Sequence, residues 1–122
     1  MIRAKKTFII AEAGVNHNGS MKLAHELIDA AISAGADAVK FQSFIASAIV
    51  TADANKADYQ IVNTGSSESQ LKMLQNLELS HQQQRELYEY CQSHGIQFLS
   101  TPFDSVSLKF LTADLRLTTI KV

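Results

Sequence analysis

The chain has one cysteine, one proline and no tryptophan in 122 residues, and its formal net charge at pH 7 is −1. Each scarcity excludes something. The lone Cys91 can form no internal disulfide, which fits a reducing compartment. It sits within a helical pattern and reads as a packing residue rather than a nucleophile. A near-zero charge leaves no electrostatic footprint for nucleic acid or an anionic membrane, although two or three lysines can still converge on one phosphate. No segment approaches the roughly 18–20 apolar residues of a membrane span. The apolar run in the N-terminal "MIRAKKTFII" is too short for a signal-peptide core, so the cytoplasm is the expected setting. Low-complexity tracts are missing too. With 46% apolar and 19% charged residues, the composition is that of a folded globular chain. The length suits one domain and is too short for two.

What is present is an alternation of strand and helix signals. "TFIIAEA" (7–13) reads as a strand that turns polar only at its end. It is followed by "AEAGVNHNGS" (11–20), an abrupt change from apolar to polar and turn-forming residues. Asn18-Gly19 signals a turn, and Ser20 can cap a helix. Leu23, Ala24, Leu27, Ile28, Ala31 and Ile32 form one apolar helical stripe that Gly35 ends. "DAVKFQ" (37–42) is a second strand, and residues 43–67 read as a long loop with one short helical turn. Leu71, Leu74 and Leu77 within "ESQLKMLQNLEL" indicate a helix starting at Glu68. A capping box of Ser80 and Gln83 opens another helix, which runs through His94 to Gly95. "IQFLSTPF" (96–103) is a third strand halted by Pro102. Asp104 caps a short helix to about Ala113, and "LTTIKV" (117–122) is expected to be a fourth strand.

Such alternation implies parallel strands with right-handed crossovers, either an open doubly wound sheet or a (β/α)₈ barrel. A barrel needs about 250 residues, and the chain stops on an expected strand with no covering helix. The expected architecture is therefore the first half of a TIM barrel, about four β/α units, truncated after the fourth strand.

In parallel α/β sheets the functional rim lies at the C-terminal strand ends. The expected strands end in Glu12; in Lys40 and Gln42; in Ser100, Thr101 and Phe103; and in Lys121. Strand alternation puts Lys40 and Gln42 on one face. A lysine flanked by Ala38 and Val39 is costly to bury without a partner. Each residue also has an ordinary reading: Glu12 as an acceptor for turn N–H groups, Lys121 as a frayed polar terminus, and Gln42 and Thr101 as common strand ends. His17 reads as a turn histidine, and His25, His81 and His94 as solvated helix residues. Taken together, two lysines, a carboxylate and amide or hydroxyl groups on one rim suit a small phosphorylated anion.

"FIIAEAGVNHNGS", "LIDAAISAGADAVKFQSF", "ESQLKMLQNLELS" and "GIQFLSTPFD", in this order and spacing, resemble successive signatures of the sialic acid synthase family. That family comprises the N-acetylneuraminate synthases and their legionaminic and pseudaminic acid relatives. The resemblance runs from about residue 7 to the last. It implies a (β/α)₈ barrel condensing phosphoenolpyruvate with the open aldehyde form of an N-acylated amino sugar, of N-acetylmannosamine type, to give a nonulosonic acid and phosphate. It also implies a divalent metal, Mn or Mg, whose ligands lie outside this chain, and a homodimer whose small C-terminal domain reaches the partner's active site. Carried over by position, Glu12 is the active-site carboxylate, and Lys40 and Gln42 contact phosphoenolpyruvate. Thr101 and Phe103 are third-strand contacts, and Lys121 grips the phosphate.

The sequence departs from the family at "ADLRLTTI", where a glycine usually precedes the fourth strand. On this reading the 122-residue piece alone is inactive. Two other readings stand beside it: another phosphoenolpyruvate-aldose synthase of the 3-deoxy-sugar acid phosphate type, and a non-catalytic α/β binding module.

Overall fold

The computed structural model describes residues 5–50 and 70–122. In chain order these form β1 (Ile10–Gly14), α1 (Met21–Ser33), β2 (Ala38–Ser43), the one-turn α2 (Ala46–Ile49), α3 (Gln70–Leu77), α4 (His81–Ser93), β3 (Gln97–Pro102), α5 (Ser105–Lys109) and a π-helical turn (Phe110–Asp114). The short helical turn expected after the second strand is α2. The rest of that expected loop and the expected helix start at Glu68 lie outside the described residues.

Local chemistry sets the helix ends. The Ser20 hydroxyl accepts from the Leu23 N–H at 3.2 Å, and the positive φ of Gly35 releases the chain after α1. At α4 both bonds of the capping box form: Gln83 N–H to Ser80 Oγ at 3.1 Å, and Ser80 N–H to Gln83 Oε1 at 2.9 Å. The buried positions of α1, Ala24, Ile28 and Ala31, follow the apolar stripe, while Leu23 stays partly exposed.

The three strands pair in parallel in the order β1-β2-β3, with Glu12 opposite Lys40, Lys40 opposite Leu99 and Gln42 opposite Thr101. Helices α1 and α4 lie on the same face of this sheet, because they bond each other: Tyr90 Oη donates to Asp29 Oδ1 at 2.5 Å, and His25 Nε2 lies 3.1 Å from Glu86 Oε1. Against them pack Val39, Phe41 and Phe98, with Ile28, Leu87 and Cys91 from the helices. Phe41 and Phe98 stack at 5.7 Å between centroids. Sequential parallel strands with helices on one side are the arrangement of successive barrel units, in which the other face lines the interior.

Three sequence expectations are corrected. Residues 117–122 form no strand. They run beside β3 with one sheet-like bond, Lys121 N–H to Ser100 O at 3.1 Å, while Leu117 N–H is taken by Leu111 O at 2.9 Å. Thr118, Thr119 and Ile120 have the propensity of a strand, but a ladder needs repeated partners. Secondly, β1 starts at Ile10 rather than residue 7, since the Ile9 N–H is taken by the Asp37 side chain at 2.8 Å. Thirdly, the last helix changes type: Leu115 N–H reaches back five residues to Phe110 O at 2.9 Å, giving a π turn after α5. No helix among the described residues is long and apolar enough to cross a membrane.

Candidate functional site

The open face of the sheet gathers the polar strand ends. Glu12 and Lys40, paired in register, form an ion pair through Glu12 Oε2 and Lys40 Nζ. The lysine side chain is only 17% exposed and the carboxylate 50%, so the carboxylate supplies the partner that a half-buried ammonium requires. Just beyond Glu12 the register slips at a bulge, and Gly14 adopts a φ of +56°. A Cβ there would lie 3.2 Å from Glu12 Oε1 and 3.8 Å from Gln42 Nε2. Gly14 thus leaves open a space bordered by both the carboxylate and the amide of the neighbouring strand. Thr101 sits beside Gln42 in register. Phe103 N–H donates to Ser43 O at 3.0 Å, and its half-exposed ring borders an apolar recess of about 140 Å³ shared with Gln42.

Glu12, Lys40, Gln42 and Thr101 are therefore brought to one face, with Phe103 at its margin. Lys121 is not joined to them. Its backbone stands level with the end of β3, but its exposed ammonium bonds the carbonyl of Val122.

Behind the rim, buried polar groups fix the strand ends. Ser43 Oγ donates to Gln84 Oε1 at 2.5 Å and lies 2.6 Å from Ser100 Oγ, and Gln84 Nε2 donates to Leu79 O at 2.9 Å. These bonds tie β2 and β3 to α4. Asp104 links the two loops that leave β2 and β3. It accepts from Ser107 N–H at 2.7 Å, Ser107 Oγ at 2.9 Å and Ile45 N–H at 2.8 Å. Partial burial pushes its carboxyl upward, but these donors outweigh it and hold the pKa below the usual carboxylate value.

His17 is fully buried, and its Nδ1 accepts from Gly19 N–H at 2.9 Å. Burial lowers its pKa, so a neutral ring secures the turn. At Gly19 an added Cβ would meet the Asn76 carbonyl at 2.3 Å, so the turn lies against the end of α3 in a way only glycine permits. Burial pushes the Cys91 thiol up to about 12, as befits a packing residue. Two of the helical histidines are not the solvated residues expected. His81 stacks on Phe110 with centroids 4.1 Å apart, and His25 meets the edge of Tyr90 at 4.5 Å. An aromatic partner brought near by the fold leaves no trace in local sequence.

Among the described residues no three His, Cys, Asp or Glu side chains cluster to hold a metal ion. The rim carboxylate is already paired with lysine, so these residues do not fit a metal centre. Sequence reasoning missed Gly14, the tie made by Asp104 and the Ser43–Gln84–Ser100 group. Gln84 carried a readable signal, since it occupies the same helical stripe as Leu87 and Cys91.

The model of the NeuB family matches residues 27–122. The chain is 52% identical over 107 residues to the N,N'-diacetyllegionaminic acid synthase of Campylobacter jejuni, covering 88% of this chain and 32% of that protein. It is 53% identical over 104 residues to the synthase of the same name from Legionella pneumophila, covering 85% and 29%. Among solved structures, the N-acetylneuraminic acid (sialic acid) synthetase of Leptospira borgpetersenii, in complex with citrate, superposes with a TM-score of 0.74 at 30% identity. That match covers 97% of this chain and 36% of the other. The chain thus spans about a third of the length of the relatives it matches.

Proposed function

The chain belongs to the NeuB family, and from that premise we propose that it is the N-terminal part of the catalytic barrel of a nonulosonic acid synthase. The reaction condenses phosphoenolpyruvate with an N-acylated amino sugar in its aldehyde form. C3 of the enol attacks the aldehyde carbon, whose oxygen takes a proton. Water adds at the cationic C2, and the C2–O bond to phosphate breaks, leaving a 2-keto acid and inorganic phosphate.

The observation that carries the reading is the Glu12–Lys40 pair on the open face, beside Gln42 and Thr101. Lys40 supplies positive charge for the anionic enol phosphate. Glu12 accepts the proton of the attacking water and balances positive charge developing at C2. Gln42 and Thr101 orient the substrate through amide and hydroxyl groups, Phe103 shields its margin, and Lys121 adds phosphate contact. The divalent metal of the full-length enzyme takes no ligand from the described residues, and no step here runs through it. The rest of the barrel and a second subunit complete the site, so the 122-residue chain alone is inactive; a cytoplasmic setting suits the reaction.

The test is phosphate release by the full-length protein given phosphoenolpyruvate and a panel of N-acylated sugars. Turnover is expected with a non-phosphorylated N-acylated acceptor, and Glu12→Gln should lower kcat by roughly 10²-fold or more. Unaltered turnover by that variant would remove the role given to Glu12. Exclusive use of a phosphorylated, non-acylated acceptor would favour the 3-deoxy-sugar acid phosphate class instead.

A further inference from the structure

Three polar side chains lie where the sheet packs on its helices, a layer otherwise built of Val39, Phe41, Phe98, Ile28, Leu87 and Cys91. Ser43, Ser100 and Gln84 are 1%, 0% and 3% exposed, so they touch no substrate themselves. We propose that they form one positioning device for the synthase reaction, holding Gln42 and Thr101 where phosphoenolpyruvate meets them. The inference rests on the function proposed above and adds residues that act on the site from behind it.

The chain of bonds has one direction. Leu79 O can only accept, so the Gln84 amide donates to it through Nε2 at 2.9 Å and keeps Oε1 as an acceptor. Ser43 Oγ donates to that acceptor at 2.5 Å, which occupies its one proton. Ser100 Oγ is then the donor in the 2.6 Å contact between the two serines. Each proton has a single acceptor, so neither hydroxyl can turn without leaving a buried donor unpaired.

The main chain extends the hold. Ser43 O accepts from Phe103 N–H at 3.0 Å, and Ser100 O accepts from Lys121 N–H at 3.1 Å. Ser43 directly follows Gln42, and Ser100 directly precedes Thr101. Strand alternation sends the side chains of Gln42 and Thr101 to the opposite face, where the two stand in register. Two buried serines thus fix the backbone beside four residues of the rim.

Stability alone gives no reason for polar groups at these positions. Apolar side chains of the same size would fill the layer, and replacing both partners of a buried hydrogen bond by such groups is nearly neutral. What apolar packing does not supply is direction, which a satisfied polar network imposes on the groups it joins. On the buried stripe of α4, polarity is confined to the turn that meets the strand ends: Gln84 is followed there by Leu87 and Cys91.

The experiment is steady-state phosphate release by the full-length protein, with phosphoenolpyruvate varied and the panel sugar that the wild type turns over held in excess. Ser100→Ala frees β3 from the chain and leaves no buried donor unpaired, so it should fold. Gln84→Met keeps the side-chain size and frees the chain from α4. Each should raise KM for phosphoenolpyruvate about tenfold, since a misplacement of about 1 Å can lower kcat/KM by roughly 10²-fold. Partial unfolding would act differently: it removes active protein and scales the maximal rate without moving KM. Thermal melts identify the folded variants, and Ser100→Ala decides alone where Gln84→Met does not fold. A wild-type KM for phosphoenolpyruvate in either folded variant, whatever its kcat, would overturn the positioning role and leave the synthase reading intact. A wild-type protein that turns over no N-acylated sugar would instead overturn the synthase reading, and this device with it.

Discussion

Gly14 is where the rim is most sensitive to a single methyl group. Its φ of +56° is unfavourable for any residue with a Cβ, and that Cβ would crowd the Glu12 carboxylate. Gly14→Ala should cost about 1–2 kcal/mol of stability and lower kcat, read from denaturant unfolding and phosphate-release kinetics of the full-length protein. Wild-type values for both would show that the bulge tolerates a side chain. Asp104 carries a pH dependence. Its folded pKa lies below the unfolded value, so its contribution is present above the unfolded pKa and disappears as pH falls through the folded one. Below about pH 4 melting temperature should therefore fall, and more steeply in the wild type than in Asp104→Asn. Parallel acid limbs would assign the loss to other carboxylates. Glu12, Lys40 and Gln42 were legible in sequence because strand alternation and the polar ends of apolar runs mark them. Gly14 was not, since one glycine in a turn-rich stretch does not announce a bulge. The Ile45 N–H that Asp104 accepts is distant in sequence, so only its bond to Ser107 could be foreseen.

At the scale of elements, whatever depends on near neighbours in sequence was readable. The Ser20, Ser80 and Asp104 caps and the glycines after α1 and α4 are instances. Ser80→Ala should cost about 1 kcal/mol, measured as a shift in denaturant midpoint with unchanged slope; a shift of zero would mean that the cap is dispensable. What depends on remote partners was not readable. Residues 117–122 have β-forming side chains, yet the single bond from Lys121 to Ser100 makes no ladder. The π turn could not be inferred either, because it forms where Phe110 is held against the ring of His81. The apolar side of α3 was visible as Leu71, Leu74 and Leu77, but its spacing could not distinguish the core from the recess that Leu74 and Leu77 line.

For the molecule as a whole, the sheet has a helical side and, among the described residues, a side without helices, and Phe8 and Ile9 just before its first strand and Ile10 at its start are 54%, 51% and 47% exposed. The isolated 122-residue chain should therefore self-associate or remain partly unfolded. Sedimentation revealing a compact monomer would contradict this. The Glu12–Lys40 pair has a further consequence under the function proposed above. The protein's own carboxylate acts as the lysine's counter-ion, and the same contact occupies the group proposed as base. On that proposal an enol phosphate settling on the ammonium would displace the carboxylate and unmask it, so an aldehyde that arrived earlier would meet an unprepared catalyst. The proposal then requires compulsory order, with phosphoenolpyruvate leading, and a dead-end sugar analogue should inhibit uncompetitively against it.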